Sequence, residues 1–242
     1  MKTEQNKKQN KQKKLKIAVP KGRVLKEALE LLRRSNYIKH QDEDYDSRRL
    51  IFDYEDDLVS LLIVKPWDVP TFVEYGAADA GVSGKDVLLE KPRNVYEPLD
   101  LGIGKCRVVA AADKSLITEK EIKHKEDNVK KKIYYSVSNL RVATKYVRIT
   151  RDFFNKKGVS NVQIIKLYGN VELAPVSGLC DFIVDLVSTG ETLRQNNLIP
   201  IDDIVYVTSR LIVNRASLKI NSGRISALID DLKERVKKNA DI

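Results

Sequence analysis

A chain of 242 residues, 42% hydrophobic and 32% charged, is long enough for one large α/β domain or for two smaller lobes. No apolar run approaches the roughly 18 residues of a membrane-spanning helix, so no association with a membrane is predicted. The cysteines, Cys106 and Cys180, lie far apart and cannot form a zinc site by themselves. We interpret both as buried or near-site thiols, in keeping with a reducing cytoplasm.

The net charge of +10 is concentrated at the N-terminus, where residues 1–16 contain seven lysines and one glutamate. Residues 1–14 have almost no apolar side chains to offset the entropy of ordering, so we expect a disordered basic tail. The tail lacks the apolar core of a secretory signal, although a plastid address stays open. A solubilising extension is favoured over nonspecific binding of nucleic acid.

The first half of the chain alternates short apolar strands with helices. Strands are predicted at 15–19, 50–52, 59–64 and 80–82, and helices at 23–34, 69–75 and 85–90. This alternation predicts parallel pairing and an α/β layered fold.

A charged stretch at 113–139 separates the two halves, and we interpret it as a mobile surface insertion. A second α/β block follows. Its predicted strands are 140–144, 162–167 and 182–187, and its predicted helices are 149–157, 171–176 and 188–195, with 225–238 as an amphipathic C-terminal helix. Residues 204–214 predict one long strand or two strands joined at Ser209 and Arg210.

The segment 181–196 (DFIVDLVSTGETLRQN) has the strongest local functional signal. An apolar strand is followed by a small turn, and a helix begins around Glu191 and Thr192. The turn is Ser188, Thr189 and Gly190. Main-chain N–H groups and hydroxyls gathered in this way can hold a dianionic phosphate. Asp185, just upstream, could accept hydrogen bonds from two adjacent sugar hydroxyls. The segment is neither a Walker A loop nor GxGxxG, and an ordinary capped turn is an equal alternative.

A second cluster, VPKGR at 19–23, follows the first predicted strand. Lys21 and Arg23 direct two cations into the crevice above the sheet, where ligands of open α/β sheets bind. They would suit a polyphosphate, with Arg23 able to bind it in bidentate fashion. On the residues alone, solvated surface charge is the favoured alternative, and it also accounts for Arg48 and Arg49.

Seven sequence blocks carry a resemblance to a known family. They are PKGR, VKPWDVPTFVEYGAADAGVSGKDVL, LDLGIGKCRVV, RVATKY, LYGNVELAP, DLVSTGETLRQNNL and RLIVNRASLK. Blocks of this kind occur in the same order in ATP phosphoribosyltransferases, and the chain resembles the short form of that family. The seven blocks span most of residues 15–219. Val147 and Asn170 depart from the usual proline and serine of the family, and neither departure removes a charge.

The resemblance implies two lobes similar to type II periplasmic binding proteins, with the active site in the cleft between them. Lobe I would comprise residues 15–105 and 201–242, and lobe II residues 106–200.

The resemblance also implies a set of site residues. The ribose and 5′-phosphate of phosphoribosyl pyrophosphate (PRPP) would bind Asp185, Leu186, Val187, Ser188, Thr189, Gly190, Glu191 and Thr192. Lys21, Gly22 and Arg23 would lie near the pyrophosphate and ATP. Glu172, Thr144, Lys145 and Tyr146 would line the cleft. The catalytic candidates are Arg23, Lys21 and a second arginine, Arg49 or its neighbour Arg48.

The implied reaction transfers the phosphoribosyl group of PRPP to N1 of the adenine of ATP, the first step of histidine biosynthesis. Mg²⁺ would be bound mainly through the substrate phosphates rather than by a metal site of the protein. A homodimer, a regulatory subunit resembling histidyl-tRNA synthetase and a cytoplasmic location are expected. A non-catalytic small-molecule sensor on the same fold is the alternative. A nucleic-acid-binding protein, suggested by the pI of about 9.4, lacks a recognition motif.

Overall fold

The computed structural model describes residues 14–40, 45, 48–54, 56–116, 134–135 and 139–240. The predicted tail, apart from Lys14, and most of the predicted insertion at 113–139 lie outside the described residues. Lys14 pairs with Asp53 at 3.1 Å. Asp113 ends a strand, and Tyr134 is fully buried.

Eleven strands and eight α-helices are described in these ranges. The strands are β1 (Leu15–Pro20), β2 (Ile51–Phe52), β3 (Val59–Val64), β4 (Ala80–Gly84), β5 (Tyr96–Asp100), β6 (Cys106–Asp113), β7 (Leu140–Thr144), β8 (Val162–Lys166), β9 (Phe182–Val187), β10 (Leu198–Val207) and β11 (Ser209–Val213). The helices are α1 (Leu25–Arg34), α2 (Val69–Glu74), α3 (Lys85–Glu90), α4 (Val147–Lys157), α5 (Leu173–Val176), α6 (Glu191–Gln195), α7 (Arg215–Ile220) and α8 (Ser222–Ala240). Within the described part of the chain, no helix is both long and apolar enough to cross a membrane.

The chain divides into two compact units, each built on its own sheet. The first unit comprises the described residues up to Gly84, then Arg93–Gly104 and the chain from Ser209 onward. The second comprises Lys85–Pro92 and Lys105–Thr208. This division differs from the predicted lobes at 85–92, 105 and 201–208. Residues 201–207 belong to the second unit because β10 pairs with β6 along its length.

The sheet of the first unit has the strand order β2-β3-β1-β4-β11-β5. Its core lies between the central strands and the apolar faces of α1 and α8. Helix α1 buries Leu25, Ala28, Leu29 and Leu32, the spacing that the sequence predicts for one helical face. Ile17 on β1 and Leu61 on β3, each 1% exposed, lie in the same core.

The sheet of the second unit has the strand order β10-β6-β9-β7-β8. Strand β9 lies between β7, which is parallel to it, and β6, which is antiparallel. Thr144, the last residue of β7, pairs with Val184 of β9. Because the carboxyl ends of parallel strands meet at one edge of a sheet, the residues that follow Thr144 and Val184 lie side by side.

The predicted parallel pairing is only partly right. β1 pairs in parallel with β3 and β4, and β7 pairs in parallel with β8 and β9. The strands at the points where the chain crosses between units, β6, β10 and β11, are antiparallel to their neighbours. β6 and β11 each enter their sheet from the other unit rather than through a strand–helix–strand crossover, so the argument for parallel pairing does not apply to them. β10 is the last strand of the second unit before the chain returns to the first.

Candidate active site

The site predicted from segment 181–196 lies at one edge of the second sheet. Phe182, Ile183 and Val184 are at most 1% exposed and fix β9 in the centre of that sheet. Asp185 follows them near the carboxyl end of the strand, opposite Val109 of β6. The carboxylate of Asp185 is therefore attached to a strand that the packed core of the unit holds in place.

Asp185 is a partly buried carboxylate with few partners. The pKa of Asp185 is raised to about 6, chiefly by burial and to a smaller extent by the nearby Glu172. The N–H of Leu186, which donates to Asp185 Oδ1 at 2.8 Å, and the ammonium of Lys145 act in the opposite direction. Among the described residues, the Leu186 N–H is the one hydrogen-bond donor to this side chain. Asp185 therefore has acceptor capacity that the protein does not use.

The turn after β9 has the conformation that its composition predicts. Gly190 has φ +83° and precedes α6, which begins at Glu191 as expected. Glycine adopts a left-handed φ of this kind without the steric cost that a Cβ atom brings. Within the described ranges, the main-chain N–H groups of Ser188, Thr189 and Gly190 have no protein acceptor. Three amides at a small exposed turn are thus available to an anion.

The other predicted residues of this segment contribute less through their side chains. Val187 is 6% exposed and packs in the apolar core, and Leu186 lies opposite Val108 of β6. Glu191 is exposed, and its carboxylate accepts from Arg194 and Gln195, which lowers its pKa. Thr192 is exposed on the first turn of α6.

The loop after β7 approaches Asp185 from the neighbouring strand. Thr144 is fully buried, and its hydroxyl donates to Val184 O at 2.6 Å and accepts from Tyr146 N at 2.8 Å. Tyr146 Oη donates to Asp86 at 2.9 Å. Burial, Asp86 and then Asp185 raise the pKa of Tyr146. The hydroxyls of Thr144 and Tyr146 already make hydrogen bonds within the unit. This favours a role in positioning the loop over direct contact with a ligand.

Lys145 and Glu172 complete the charged groups around Asp185. Both are partly exposed, and they act on the Asp185 pKa in opposite directions. Glu172 immediately precedes the short helix α5. The edge of the second sheet thus combines one cation, two carboxylates and a turn rich in free amides.

The cluster at 21–23 lies in the first unit, at the carboxyl end of β1. The N–H of Lys21 donates to Val64 O at 2.8 Å, which extends the pairing of β1 with β3. Gly22 has φ +100° and turns the chain toward α1. Arg23 is exposed, and its Nη2 donates to Gly104 O at 3.2 Å. The two predicted cations therefore follow a central strand of this sheet.

Arg48 and Arg49 have different surroundings. Arg49 Nε donates to Ile51 O at 2.9 Å and Nη1 to Tyr54 Oη at 3.1 Å. Its guanidinium also lies 4.9 Å from the centre of the Phe52 ring. Arg48 is exposed, and across the described residues its side chain makes no hydrogen bond or ion pair. Among the described residues, the guanidinium of Arg48 therefore makes fewer contacts than that of Arg49.

The second unit thus gathers the residues predicted for the sugar and its phosphate, and the first unit holds the cations predicted for the pyrophosphate. Residues 144–146, Glu172 and 185–192 share the second unit, whereas residues 21–23 and Arg49 belong to the first. Sequence reasoning missed Asp86, since only the tertiary structure places it against Tyr146. Of the described residues, no group of three histidines, cysteines or acids could by itself hold a metal ion.

The family model of ATP phosphoribosyltransferase (HisG) matches residues 65–236, well over half of the chain. The chain belongs to the ATP phosphoribosyltransferase family. An ATP phosphoribosyltransferase of Geobacter metallireducens is 47% identical over 92% of this chain and 98% of its own length. One from Caldanaerobacter subterraneus is 46% identical over 90% of this chain and 95% of its own. The resemblance predicted from the seven blocks is confirmed.

Solved structures confirm the predicted fold class. The chain matches one from an ATP phosphoribosyltransferase HisG:HisZ complex of Thermotoga maritima, with a TM-score of 0.71 and 31% identity over 93% of this chain and 99% of that one. The periplasmic aliphatic sulphonate binding protein SsuA of Escherichia coli matches with a TM-score of 0.58 and 13% identity, over 93% of this chain and 73% of that one. The second likeness concerns the fold alone, and it agrees with the likeness to periplasmic binding proteins that the family resemblance implies.

Proposed function

We propose that the protein transfers the 5-phosphoribosyl group of PRPP to N1 of the adenine of ATP, releasing phosphoribosyl-ATP and pyrophosphate as the first step of histidine biosynthesis. Membership of the family supports the reaction. The observation that supports the position of the sugar is the carboxylate of Asp185, which is partly buried and under-used as an acceptor.

Asp185 suits a ribose diol because two hydroxyls on adjacent carbons can donate to one carboxylate. A buried acceptor without donors is unfavourable, and a ligand that supplies donors relieves that cost. The raised pKa of Asp185 is therefore the expected property of a ligand-free site. Binding of a diol should favour the ionised form and lower this pKa.

The 5′-phosphate is assigned to the turn at 188–190. Its three amides have no protein acceptor among the described residues, and the hydroxyls of Ser188 and Thr189 are exposed beside them. Main-chain donors fixed by the fold bind an anion with little loss of side-chain entropy. The turn directly follows β9, so the diol and the phosphate would be held by one rigid segment.

The reaction requires that the substrates be held in position and that developing charge be stabilised, and it does not require a strong base. Adenine N1 has a lone pair at neutral pH, so no proton has to be removed before it attacks. The barrier lies in the departure of pyrophosphate and in the positive charge that develops on the ribose ring. A rigid hold on the sugar lowers the entropic part of this barrier, and no covalent enzyme intermediate is expected.

Lys21 and Arg23 are assigned to the pyrophosphate. Both are exposed and follow β1, and Arg23 Nη2 donates to Gly104 O. A guanidinium is a planar fork of donors that can bind two phosphate oxygens at once. Negative charge grows on the leaving group in the transition state, so these cations should affect kcat more than KM.

Mg²⁺ is proposed to arrive with the substrate phosphates. When bound, it would neutralise charge on the departing pyrophosphate. Asp185 and Glu172 are the carboxylates of the described site that could contribute ligands, and two carboxylates fit an ion whose other ligands are phosphates and water.

The direct test is a pyrophosphate-release assay with ATP and PRPP, with and without Mg²⁺. Release that requires both substrates, with phosphoribosyl-ATP identified by its absorbance or mass, is the expected result. Absence of product from a folded sample would overturn the proposal and leave the sensor alternative.

A second test addresses the sugar site by itself. Asp185→Ala should weaken PRPP binding about 10-fold or more, because the diol loses its charged acceptor. Calorimetry measures the Kd directly. Asp203→Ala is the matched control, since Asp203 is an aspartate of the same unit that pairs with Arg107 on strand β6. An unchanged Kd in Asp185→Ala would contradict the assignment.

The proposed assembly and location follow from the family and stay predictions. We expect a homodimer and a regulatory subunit resembling histidyl-tRNA synthetase, acting in the cytoplasm. The Thermotoga maritima relative was solved as a HisG:HisZ complex. If regulation requires such a partner, histidine should not inhibit the isolated chain.

A further inference from the structure

Three buried tyrosines of the described chain each donate their hydroxyl to an aspartate. The pairs are Tyr37 with Asp231 at 2.7 Å, Tyr134 with Asp202 at 2.9 Å and Tyr146 with Asp86 at 2.9 Å. All three tyrosines are at most 6% exposed. The chemistry is the same in each pair, so the surroundings decide what each pair does.

The Tyr146–Asp86 pair lies beside the proposed sugar site. Tyr146 N donates to Thr144 Oγ1, which donates in turn to Val184 O, the carbonyl that precedes Asp185. The charge of Asp185 also acts on Tyr146. The Tyr134–Asp202 pair is on the other side of β9. Tyr134 packs against Phe182, three residues from Asp185, and alternate side chains of a strand point to opposite faces.

Helix α3 holds this loop through two carboxylates. Asp86, 7% exposed, accepts from Tyr146 Oη. One turn later, Glu90 accepts from the N–H groups of Arg148 and Ile149 at 2.9 and 3.0 Å, in the first turn of α4. A carboxylate at these free amides stabilises the start of a helix. Both of these contacts hold the end of the loop that joins α4, whereas the bond from Thr144 to Val184 O holds the end that joins β7.

We propose that Asp86 is a positioning residue for PRPP binding: it holds Tyr146, and with it the loop at 144–146, against Asp185. Asp86 does not touch the substrate in this proposal. It keeps Lys145 and the end of β7 in the place where the charge of Lys145 acts on Asp185. This inference rests on the proposed function and adds a residue that the resemblance to the family does not assign.

The test compares Asp86→Ala, Asp86→Asn and Tyr146→Phe in steady-state kinetics of the full chain. Asp86→Ala and Tyr146→Phe should each raise the KM for PRPP about 10-fold and change kcat less than about threefold, because the loss is in ground-state positioning. Asp86→Asn keeps an acceptor oxygen for Tyr146 and should recover most of the affinity. The double variant should be no worse than Asp86→Ala, since the two residues act as one unit.

Tyr134→Phe is the matched control, because it removes the same bond at the same distance within the same unit. It should lower the melting temperature and leave the KM for PRPP unchanged. A purely structural role for Asp86 predicts that its variants behave like Tyr134→Phe, and that result would overturn the proposal.

The possible failures can be told apart. A wild-type chain that forms no phosphoribosyl-ATP removes the proposed function, and this inference with it. An active wild type with an unchanged KM for PRPP in Asp86→Ala and Tyr146→Phe removes the inference alone. If Asp86→Ala does not fold, Tyr146→Phe decides the question by the same comparison of its KM for PRPP with that of Tyr134→Phe.

Discussion

The two candidate phosphate-binding regions offer different groups to a phosphate: one offers charged side chains, and the other offers main-chain N–H groups. Residues 21–23 present exposed cationic side chains after β1, whereas residues 185–190 present main-chain amides after a partly buried acid. Side-chain cations suit a group whose charge grows during the reaction. Main-chain amides fixed by the fold bind a phosphate with little loss of side-chain entropy, and the 5′-phosphate is not the group that leaves. Variants in the first region should therefore affect turnover, and variants in the second should affect binding.

The largest expected effect is that of Arg23→Ala. Removal of one transition-state donor should lower kcat about 10²-fold or more at saturating substrate. Arg34→Ala removes an exposed arginine at the end of α1, which pairs with Glu30, and serves as the control. A decrease in kcat of less than about threefold in Arg23→Ala would count against its assignment.

Arg48 and Arg49 extend the comparison to a second pair of cations. Arg48→Ala should lower kcat/KM about 10-fold, because its guanidinium makes no hydrogen bond or ion pair with the described residues and can bind a phosphate. Arg49→Ala should cost about threefold or less, because Arg49 already binds Ile51 O and Tyr54. Parallel kinetics of the two variants measure the order of the effects. The reverse order would identify Arg49 as the second catalytic arginine.

In the second region, Gly190→Ala should raise the Kd for PRPP about 10-fold, since alanine resists a left-handed backbone and the turn would shift. Gly158→Ala is matched to it, because Gly158 has φ +75° at the end of α4 in the same unit. Both variants should lose about 1–2 kcal/mol of stability. Calorimetry should show weaker binding only for Gly190→Ala, and equal binding in both would remove the amide turn from the site.

The smallest effect concerns the stability of the ligand-free protein. The fold raises the pKa of Asp185 from 3.8 to about 6, so the ionised carboxylate destabilises the folded state above pH 6 and ceases to do so below about pH 4. Asp185→Asn should therefore increase stability by up to about 2 kcal/mol at pH 8. The gain should shrink as the pH falls from 6 to 4.

Melting temperatures of wild type and Asp185→Asn at pH 8, 6 and 4.5 measure this difference. A variant less stable than wild type at pH 8 would show that the carboxylate is already satisfied in the fold. In the wild type, PRPP affinity should also weaken as the pH falls through about 6, because a protonated Asp185 is a poorer acceptor.

Several strands and helices could be predicted because each is encoded by the pattern of apolar residues within one continuous run of the chain. Val59–Val64, Lys85–Glu90 and Phe182–Val187 are strands and helices with the predicted bounds. The sequence gives no comparable signal for β5, which is partly exposed and contains a proline. Strand β6 was also missed, because its run of small alanines has little intrinsic preference for a strand and is buried by neighbours distant in sequence.

By itself, the sequence determined the family, the strand–turn–helix at Asp185 to Thr192 and the cations at Lys21 and Arg23, since each is a run of adjacent residues whose conformation depends on local chemistry. Only the tertiary structure decided the antiparallel course of β6 and β11, the surroundings of Asp185 and the bond from Tyr146 to Asp86. That bond joins residues 60 positions apart. The packing of whole strands and helices brings such residues together, and a local sequence pattern does not predict which distant side chain a residue will contact.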